Sequence, residues 1–391
     1  MNKRIGILTG GGDVQPLNAV LASAQKTAAR LKVELVGYSK GWEGVLLGDC
    51  VDLAKRTIDP STGGTVLKSS RLNIFRMGRG AEKIREALAA NKIAGLVVVG
   101  GEDTLSNAFL LRPLPQVFIA KTIDNDVGAT GNHGRKLHLK SILNYFTLGF
   151  PTAAAKIASF VSMKEGLRTT AYSHERIIVV EAMGMHAGWL ALASGLGHPD
   201  FVIIPEFPLD YQRFLDKVAK RYQDQKHVII VIAEGSRWKD GSYISAKKDE
   251  DEDIEHPRFG GAGEILRQRL RMDFPKGLKT RNINAVNPAY LYRSGAPSGL
   301  DKYWAEKLGE RAIRFLADRE EGVFLSVQKL DFGFKTQEVP LREFKSIDDL
   351  HRFVDKRFYD PEEFMMSEDG MKYMKEIARE FPWEKNYGRG L

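Results

Sequence analysis

Four carboxylates and one lysine follow two neighbouring apolar runs of the sequence, VVVGG and VFIA. Glu102 and Asp103 come directly after the glycine pair, while Lys121, Asp124 and Asp126 follow the second run. A glycine pair after a short strand is typical of a phosphate-binding loop, but two acids at its tip would repel a bare phosphate. The acids fit a phosphate that arrives with a metal, because Mg²⁺ takes oxygen ligands, typically one or two carboxylates plus substrate phosphates.

These residue types match the needs of phosphoryl transfer, in which catalysis rests mainly on positioning and charge stabilisation. Glu102 is the candidate metal ligand. One of Asp124 and Asp126 can accept a proton from an attacking hydroxyl group, and Lys121 can balance charge on the transferred phosphoryl group. The alternative interpretation is that all five residues are helix caps and turn residues. It explains poorly why they gather at one sheet edge.

Seven strand-like runs alternate with helical patterns along the chain. The runs are residues 4–9, 33–38, 94–100, 116–120, 176–182, 200–206 and 227–235. They are near-continuous in Val and Ile rather than alternating, which is typical of parallel strands covered on both faces. Segment 17–31 carries one apolar stripe at helical spacing, which predicts an amphipathic helix. The alternation predicts an α/β fold with right-handed crossovers.

Polar motifs follow five of these runs at their carboxyl ends, where ligands bind in open parallel sheets. They are GGGD, GGED, KTIDND, MGMHAG and EG, after the first, third, fourth, fifth and seventh runs. Gly10, Gly11 and Gly12 lie between a strand and a helix, so backbone N–H groups there can approach an anion. No Gly-Lys-Ser/Thr follows, which excludes a Walker A loop. The spacing, and the missing acid after the second run, exclude a dinucleotide loop.

The composition is that of an ordinary globular protein with more than one domain. The chain has 391 residues, of which 43% are hydrophobic and 28% charged, and its length exceeds the usual limit of a single core. Cys50 is the only cysteine, which excludes an intramolecular disulfide and fits a reducing compartment. The N-terminal apolar stretch is too short for a signal peptide, and no run approaches the length of a membrane span. We therefore expect a cytoplasmic protein that does not bind membranes.

The net charge of +8 carries no pattern that indicates nucleic acid as a partner. The sequence lacks zinc-finger spacing, an aromatic RNA-binding signature and a dense basic helix. Its eight histidines show no HExxH or other metal-ligand spacing. The charge run 247–256 is expected to be a solvated loop. Segment 364–381 is expected to be a terminal helix whose methionines pack against the core.

The motifs, taken in order, resemble those of the phosphofructokinase family. They are LTGGGD, GGTVLKSSR, GGEDTL, KTIDND, SHERIIVVEAMGMHAGWLAL and IAEG, and they span about residues 4 to 320. The resemblance implies two Rossmann-like lobes with mostly parallel sheets and the active site in the cleft between them. The implied lobes are residues 1–140 with about 293–345 for the phosphoryl donor and 141–292 for fructose 6-phosphate, followed by a C-terminal extension, 346–391. Mg²⁺ is the implied cofactor.

Two positions in the resemblance bear on the phosphoryl donor. ATP-dependent members usually have glycine where this chain has Asp103, and another glycine before TIDND. Pyrophosphate-dependent members carry Asp and Lys there, as Asp103 and Lys121 do here. The Asp103 side chain would occupy and repel the space needed by a nucleotide α-phosphate, while Lys121 offsets that charge and holds pyrophosphate. Glu102, in place of the commoner Asp, is similar to one pyrophosphate-using bacterial branch.

Carried over position by position, the resemblance assigns residues to four roles. The catalytic residues are Asp124, which matches the family's base, with Lys121 and Asp103. The donor-binding residues are Gly11, Arg71, Asp103, Thr104 and Lys121. The sugar-phosphate residues are Thr122, Asp124, Asp126, Arg176, Met183, Gly184, Met185, Glu234, Tyr290 and Arg293. Glu102 is the implied metal ligand.

The resemblance also implies a site that is shared between subunits. Arg176 matches an arginine that typically reaches the sugar phosphate in the neighbouring subunit's site. A homodimer or homotetramer is therefore expected, and a monomer would be inactive. Tyr290 and Arg293 would hold the 6-phosphate side of the sugar.

Several positions depart from the family's pattern. Met185 stands where an arginine normally stabilises the transition region, and Lys68 stands where glycine is usual. The loop GGDVQPLNA places a proline at Pro16 and loses a glycine. Arg281 is near the place of a second sugar-phosphate arginine, but its spacing is off. These changes bear on turnover and on the acceptor more than on the reaction class.

The leading hypothesis is reversible transfer of a phosphoryl group from pyrophosphate to C1 of fructose 6-phosphate. The nearest alternatives are an ATP-dependent enzyme on the same fold and a kinase of another sugar phosphate, such as sedoheptulose 7-phosphate. An alternative from another class is a non-catalytic regulatory or binding subunit, which Met185 suggests. The intact Asp124, Asp126, Glu102 and Lys121 count against it, because a protein that only binds needs no base.

Overall fold

A computed structural model describes residues 3–128, 142–248, 258–278, 282–379 and 381 of the chain. The chain divides into two compact units. The first comprises Met1–Phe150 and Arg293–Arg352, and the second comprises Pro151–Tyr292 and Phe353–Leu391. In the described residues, no helix is both long and apolar enough to span a membrane.

The unit boundaries differ from those expected from the sequence. The first unit continues past residue 140 because Leu148–Gly149 pairs with the strand that ends at Thr122. The predicted C-terminal extension 346–391 is not a separate element. Its first residues, as far as Arg352, belong to the first unit, and the remainder belongs to the second.

The first unit is built on one eight-stranded, mostly parallel sheet. Its strands are β1 Arg4–Thr9, β2 Glu34–Tyr38, β3 Cys50–Asp52, β4 Gly95–Gly100, β5 Gln116–Thr122, β6 Leu148–Gly149, β13 Val323–Lys329 and β14 Phe334–Pro340. Their order is β14-β13-β5-β4-β1-β2-β3, with β6 paired to β5. Only the two outer pairs, β2 with β3 and β13 with β14, are antiparallel. The central strands β4 and β5 are buried along their whole length, as their continuous apolar runs predict.

Helices cover this sheet. They are α1 Leu17–Leu31, α2 Trp42–Leu47, α3 Gly80–Ala90, α4 Glu102–Phe109 and α10 Gly299–Asp318. The bounds of α1 are those predicted from its apolar stripe, and this helix packs along α10. The core between sheet and helices includes Leu8, Val98, Phe118 and Phe324.

The second unit contains a separate four-stranded parallel sheet. Its strands and hairpins are β7 Ile177–Ala182, β8 Phe201–Ile203, β9 Val228–Ala233, β10 Ala246–Lys248, β11 Arg258–Gly260, β12 Ile283–Val286, β15 Tyr359–Asp360 and β16 Met365–Met366. The sheet order is β12-β7-β9-β8, while β10 with β11 and β15 with β16 form two-stranded antiparallel pairs. The helices are α5 Phe150–Val161, α6 Arg168–Ser173, α7 Trp189–Ala193, α8 Tyr211–Gln225, α9 Ala262–Asp273 and α11 Glu368–Ile377.

Three sequence expectations in this unit need correction. The run 200–206 yields a strand of only three residues, Phe201–Ile203, and Pro205, which lacks an N–H group, follows it. The terminal helix is shorter than 364–381. It begins after Ser367, whose hydroxyl accepts a hydrogen bond from the Gly370 N–H (3.1 Å).

Two methionines just before this helix form the short strand β16 instead, whereas Met374 within the helix is fully buried as expected. The first two residues of the charge run 247–256 lie in strand β10 rather than in a loop, and residue 249 onward lies outside the described residues.

Candidate active site

Three loops of the first unit lie side by side because their strands are neighbours in the sheet. Strands β5, β4 and β1 are adjacent, and the chain order reverses between β1 and its two neighbours β4 and β2. Ligands of open α/β sheets bind at such a topological switch point, beyond the carboxyl ends of the strands. The loops after these strands carry the glycines 10–12, the acids 102–103 and the motif 121–126.

Close packing explains the glycines of the first loop. A Cβ atom at Gly10 would lie 2.6 Å from the Thr104 side chain, which is itself buried. Gly11 has a φ of +78°, and its N–H donates to the Ser70 carbonyl (3.0 Å). The Ser69 hydroxyl donates to the Gly11 carbonyl (2.7 Å). The glycine loop is thereby fixed to the loop that carries Arg71.

Lys68 departs from the family pattern at a position with an unusual backbone. Its φ is +60°, in the left-handed region that favours glycine. Its carbonyl accepts a hydrogen bond from the Thr9 hydroxyl (3.0 Å) at the end of β1, and its side chain is exposed. This position explains why glycine is usual there and adds a positive charge beside the same loop.

Lys121 is a buried cation at the end of β5. Only 2% of the residue is exposed, and its Nζ donates a hydrogen bond to the Gly12 carbonyl. Burial, followed by the positive charges of Arg293 and Arg71, lowers the pKa of Lys121 to about 7, while the charges of Asp13 and Asp124 oppose this. Three cationic groups around a glycine loop form a site that favours an anion.

Arg293 belongs to this cationic group in the structure. Its guanidinium occupies the space that a side chain at Gly12 would need, and Nη1 lies 3.4 Å from the Asp13 carbonyl. The sequence assigned Arg293 to the 6-phosphate of the sugar. The structure places it beside Gly12, within the electrostatic reach of Lys121.

Carboxylates gather beside these cations. Glu102 and Asp103 form the first turn of α4, where the helix dipole stabilises negative charge. Asp126 follows β5, and burial, followed by the negative charges of Asp124 and Glu102, raises its pKa. The Asp124 N–H donates to the Thr122 hydroxyl (3.0 Å), which fixes the turn.

Two acid oxygens in this group lack hydrogen-bond partners. Among the described residues, Oδ1 of Asp124 and Oδ1 of Asp126 are buried without a partner. Buried polar atoms are usually paired, so unpaired carboxylate oxygens indicate a site for a proton donor or a cation.

His351 joins the same group and was not found from the sequence. Its Nε2 lies 2.9 Å from Oε1 of Glu102. This contact with Glu102, opposed by burial and assisted by the charges of Glu102, Asp348 and Asp126, raises the pKa of His351. No motif surrounds His351 in the sequence. Backbone pairing with Val127 brings it to the acids.

The acid group has the donor chemistry that Mg²⁺ prefers. No cluster of three or more His, Cys, Asp or Glu side chains within the described ranges is arranged to hold a metal by itself. Mg²⁺ is commonly bound through one or two carboxylates, with water and substrate phosphates completing its coordination. Glu102 and the unpaired oxygen of Asp126 fit that requirement.

In the second unit, two loops at the carboxyl ends of β7 and β9 meet. Oε1 of Glu234 accepts a hydrogen bond from the Gly184 N–H (3.1 Å), and the Gly235 N–H donates to the Gly184 carbonyl (3.2 Å). Met183 and Met185, on either side of Gly184, are partly exposed. The structure therefore brings together four residues assigned to the sugar, Met183, Gly184, Met185 and Glu234.

Arg176 and Tyr290 are placed differently. Arg176 precedes β7, so it lies at the opposite end of a six-residue strand from Gly184, a separation of roughly 20 Å. Its Nη1 donates to the Thr170 hydroxyl (2.7 Å). Tyr290 is 71% exposed, in a short 3₁₀ segment. Arg281 lies outside the described residues.

The fold and the loops at the strand ends define an α/β protein with phosphate-binding features. The family model described as "Phosphofructokinase" matches residues 4–316. The chain belongs to the phosphofructokinase family, which confirms the resemblance seen in its motifs.

Relatives named for different phosphoryl donors have comparable identity to the chain. A protein of Dictyoglomus thermophilum named pyrophosphate--fructose 6-phosphate 1-phosphotransferase is 33% identical, over 91% of this chain and 96% of that protein. A protein of Corynebacterium efficiens named ATP-dependent 6-phosphofructokinase is also 33% identical, over 84% of this chain and 89% of its own. Overall identity therefore does not separate the two donors.

A solved structure shares the fold. The pyrophosphate-dependent phosphofructokinase of Marinobacter aquaeolei superposes with a TM-score of 0.78 at 19% identity, covering 96% of this chain and 91% of that one. This likeness confirms the predicted α/β fold with two Rossmann-like units and mostly parallel sheets.

Proposed function

We propose that the chain is a pyrophosphate-dependent 6-phosphofructokinase, which forms fructose 1,6-bisphosphate and phosphate in a reversible reaction. The observation that carries the proposal is the buried Lys121, held at the Gly12 carbonyl with Arg71 and Arg293 nearby. A compact, highly charged anion such as pyrophosphate suits this dense positive site.

In the proposed reaction, Asp124 acts as the base. Its unpaired oxygen accepts the proton of the C1 hydroxyl of the sugar as that oxygen attacks a phosphoryl group of pyrophosphate. A bond forms between the sugar oxygen and phosphorus, and the bond to the second phosphate breaks, so inorganic phosphate leaves. Lys121 and Arg71 stabilise the charge on the phosphates. In the reverse direction the protonated Asp124 returns its proton to the sugar oxygen.

Glu102, with Asp124 and Asp126 nearby, would hold Mg²⁺. When bound, the ion would neutralise charge on the phosphate oxygens. Asp103 and Thr104 would limit the donor, because the Asp103 carboxylate repels a nucleotide α-phosphate. Thr122, Asp126, Met183, Gly184, Met185 and Glu234 would contact the sugar.

The partners in this proposal include a second copy of the chain. Arg176 would serve a neighbouring subunit's site, because it lies at the far end of β7 from Gly184, and Tyr290 would lie on the 6-phosphate side. Arg293, which the sequence assigned to that side, would instead contribute to the donor site beside Gly12. A homodimer or homotetramer in the cytoplasm, without nucleic acid or membrane partners, completes the proposal. The second candidate is an ATP-dependent enzyme, which the ATP-dependent name of a relative that is 33% identical favours.

A donor comparison tests the proposal. Wild type, Asp103→Gly, Lys121→Gly and the double variant are assayed with fructose 6-phosphate and either pyrophosphate or ATP. We expect wild type to prefer pyrophosphate. Asp103→Gly should lose pyrophosphate use with a modest gain with ATP, because Lys121 still intrudes. The double variant should shift the ratio of specificity constants toward ATP by at least about tenfold, roughly 1.4 kcal/mol. The proposal would be overturned if the wild-type protein preferred ATP, or if the double variant had the same ratio of specificity constants for the two donors as wild type.

A further inference from the structure

A short segment from the C-terminal part of the first unit is bound to the loop that carries Asp124 and Asp126. This return segment, Leu350–Arg352, runs antiparallel to the loop. The Arg352 N–H donates to the Asp126 carbonyl (2.7 Å), and the Leu350 carbonyl accepts from the Gly128 N–H (2.7 Å). His351 is the central residue of the segment, so hydrogen bonds on both sides fix its backbone.

Buried side chains hold the return segment in place. Leu350 is fully buried, and Arg352 is 1% exposed. The Arg352 guanidinium donates from Nη1 to the carbonyls of Asn144 (2.7 Å) and Tyr145 (3.1 Å). The Asn144 amide in turn donates to the Val127 carbonyl (3.3 Å), which belongs to the acid-bearing loop. The position of His351 is therefore determined by the core of the unit.

The imidazole of His351 lies between two acids. Nε2 is 2.9 Å from Oε1 of Glu102, and Nδ1 is 3.8 Å from Oδ1 of Asp348. The Glu102 side chain is 33% exposed, whereas that of Asp348 is 78% exposed. The close contact is thus made to the acid that faces the candidate active site.

This contact restricts the orientation of the Glu102 carboxylate. A glutamate in the first turn of a helix has several accessible rotamers, and ordering a free one costs side-chain entropy. A close polar contact with an imidazole whose backbone is fixed restricts these rotamers before any ligand binds. Carboxylates that bind metals are commonly oriented by such neighbours, whose loss typically costs about 10–100-fold in metal affinity or activity.

We propose that His351 is a positioning residue that orients the Glu102 carboxylate for a divalent cation through the close contact of its Nε2 with Oε1 (2.9 Å). The inference rests on the proposed function, because that function assigns the metal to Glu102. It adds a residue that lies far from every motif of the sequence and that contacts neither the sugar nor the donor in the assigned roles.

The test measures metal binding directly. Mn²⁺ is titrated into the full-length protein with saturating inorganic phosphate, and free Mn²⁺ is followed by electron paramagnetic resonance. His351→Ala should raise the Mn²⁺ dissociation constant by about tenfold or more. His351→Gln keeps an N–H donor and should recover part of this loss. Asp348→Asn is the matched control. This substitution alters the more distant of the two acids at His351, and its Mn²⁺ dissociation constant should stay within about twofold of the wild-type value.

A double variant distinguishes positioning from a general structural effect. If His351 acts through Glu102, His351→Ala should have no further effect on Mn²⁺ affinity in a Glu102→Gln background. In steady-state assays of the single variant, the Mg²⁺ concentration for half-activation should rise while KM for fructose 6-phosphate stays unchanged. Thermal unfolding of each variant reports whether the fold is kept. If His351→Ala is unfolded, the Mn²⁺ affinity of His351→Gln is used for the test instead.

The outcomes separate this inference from the proposed function. Normal Mn²⁺ affinity in His351→Gln and His351→Ala, with reduced affinity in Glu102→Gln, overturns the role of His351 alone. Normal affinity in Glu102→Gln overturns the metal assignment of the proposed function, and the inference with it. A His351→Ala effect that persists undiminished in the Glu102→Gln background also overturns the positioning role.

Discussion

Acids with buried carboxylate oxygens lie next to strand ends in both units, but these oxygens differ in whether they accept hydrogen bonds. In the second unit, both carboxylate oxygens of Glu181 accept hydrogen bonds, from the N–H groups of Gly261 (3.1 Å) and Gly263 (2.9 Å) and from the Asn287 amide (3.0 Å). In the first unit, one oxygen of Asp124 and one of Asp126 are buried with no partner among the described residues.

This difference distinguishes an acid that holds the backbone in place from an acid that can act on a ligand. A buried polar atom without a partner costs about 1–3 kcal/mol, so such atoms persist where a function requires them. Glu181 lies within a motif of the family, VVEAMGM, as Asp124 lies within TIDND. Motif membership alone therefore does not assign a role. The saturated hydrogen bonds of Glu181 indicate that it fixes backbone, whereas the open oxygen of Asp124 indicates that it acts on a ligand.

The largest expected effect tests the open oxygen of Asp124. Asp124→Ala should lower turnover by about two to four powers of ten, the usual contribution of a positioned base. It should leave sugar binding and the free energy of unfolding nearly unchanged, because no buried partner of Oδ1 is lost. Steady-state kinetics and urea unfolding measure the two effects. Near-normal turnover would mean that another residue is the base.

The matching change in the second unit should act on stability. Glu181→Ala leaves the N–H groups of Gly261 and Gly263 and the Asn287 amide without their acceptor. We expect the free energy of unfolding to fall by about 1–3 kcal/mol. The fall in turnover of the folded variant should be far smaller than in Asp124→Ala. Unchanged stability in urea unfolding would contradict the scaffold role, and with it the comparison.

A third prediction concerns the pH dependence of the cationic site. The pKa of Lys121 is lowered to about 7 in the free protein, so the side chain is mostly neutral above that pH. A bound anion favours the charged form and raises this pKa again. Between about pH 7 and pH 10, pyrophosphate binding should therefore take up a proton at Lys121. Its affinity should fall by up to about tenfold per pH unit through this group.

Calorimetry measures this proton uptake. Pyrophosphate is titrated into the protein at about pH 8 in two buffers with different ionisation enthalpies. Lys121→Met is the control, because proton uptake by pyrophosphate itself still occurs with this variant and only the contribution of the lysine is removed. Equal proton uptake by wild type and Lys121→Met would show that Lys121 does not change its charge on binding.

The sequence predicted the central elements well because their signals are local. The continuous apolar runs gave β1, β2, β4, β5, β7 and β9, and the stripe of 17–31 gave α1 with its bounds. Motif spacing also placed Glu102, Lys121 and Asp124 at neighbouring strand ends, since β4 and β5 are adjacent. Strand β14, FKTQEVP, lies at the sheet edge, and the residues between Phe334 and Val339 are all polar, so no apolar run marked it.

His351 could not be predicted for a physical reason. Its place depends on a backbone pairing with Val127, more than two hundred residues away in the chain, and on the burial of Leu350 and Arg352. Neither leaves a periodic pattern near residue 351. The alternation of strands and helices likewise did not divide the motifs between two sheets, and only the family resemblance implied two lobes. The structure assigns the motifs after β1, β4 and β5 to one sheet and those after β7 and β9 to another.

The smallest expected effect concerns Met185, at the strand ends of the second unit. Its backbone is packed against Gly235, where a Cβ atom would collide with the Met185 carbonyl, and its side chain is half-buried. Met185→Arg should therefore leave the backbone and the free energy of unfolding unchanged and place a positive charge near the assigned sugar residues. Because a partly exposed ion pair contributes about 0.2–1 kcal/mol, KM or turnover with sugar phosphates should change by at most about fivefold. Met185→Leu, which keeps an apolar side chain of similar volume, is the control and should behave as wild type. Kinetics with fructose 6-phosphate and sedoheptulose 7-phosphate measure the effect, and no change with either would show that this side chain points away from the sugar.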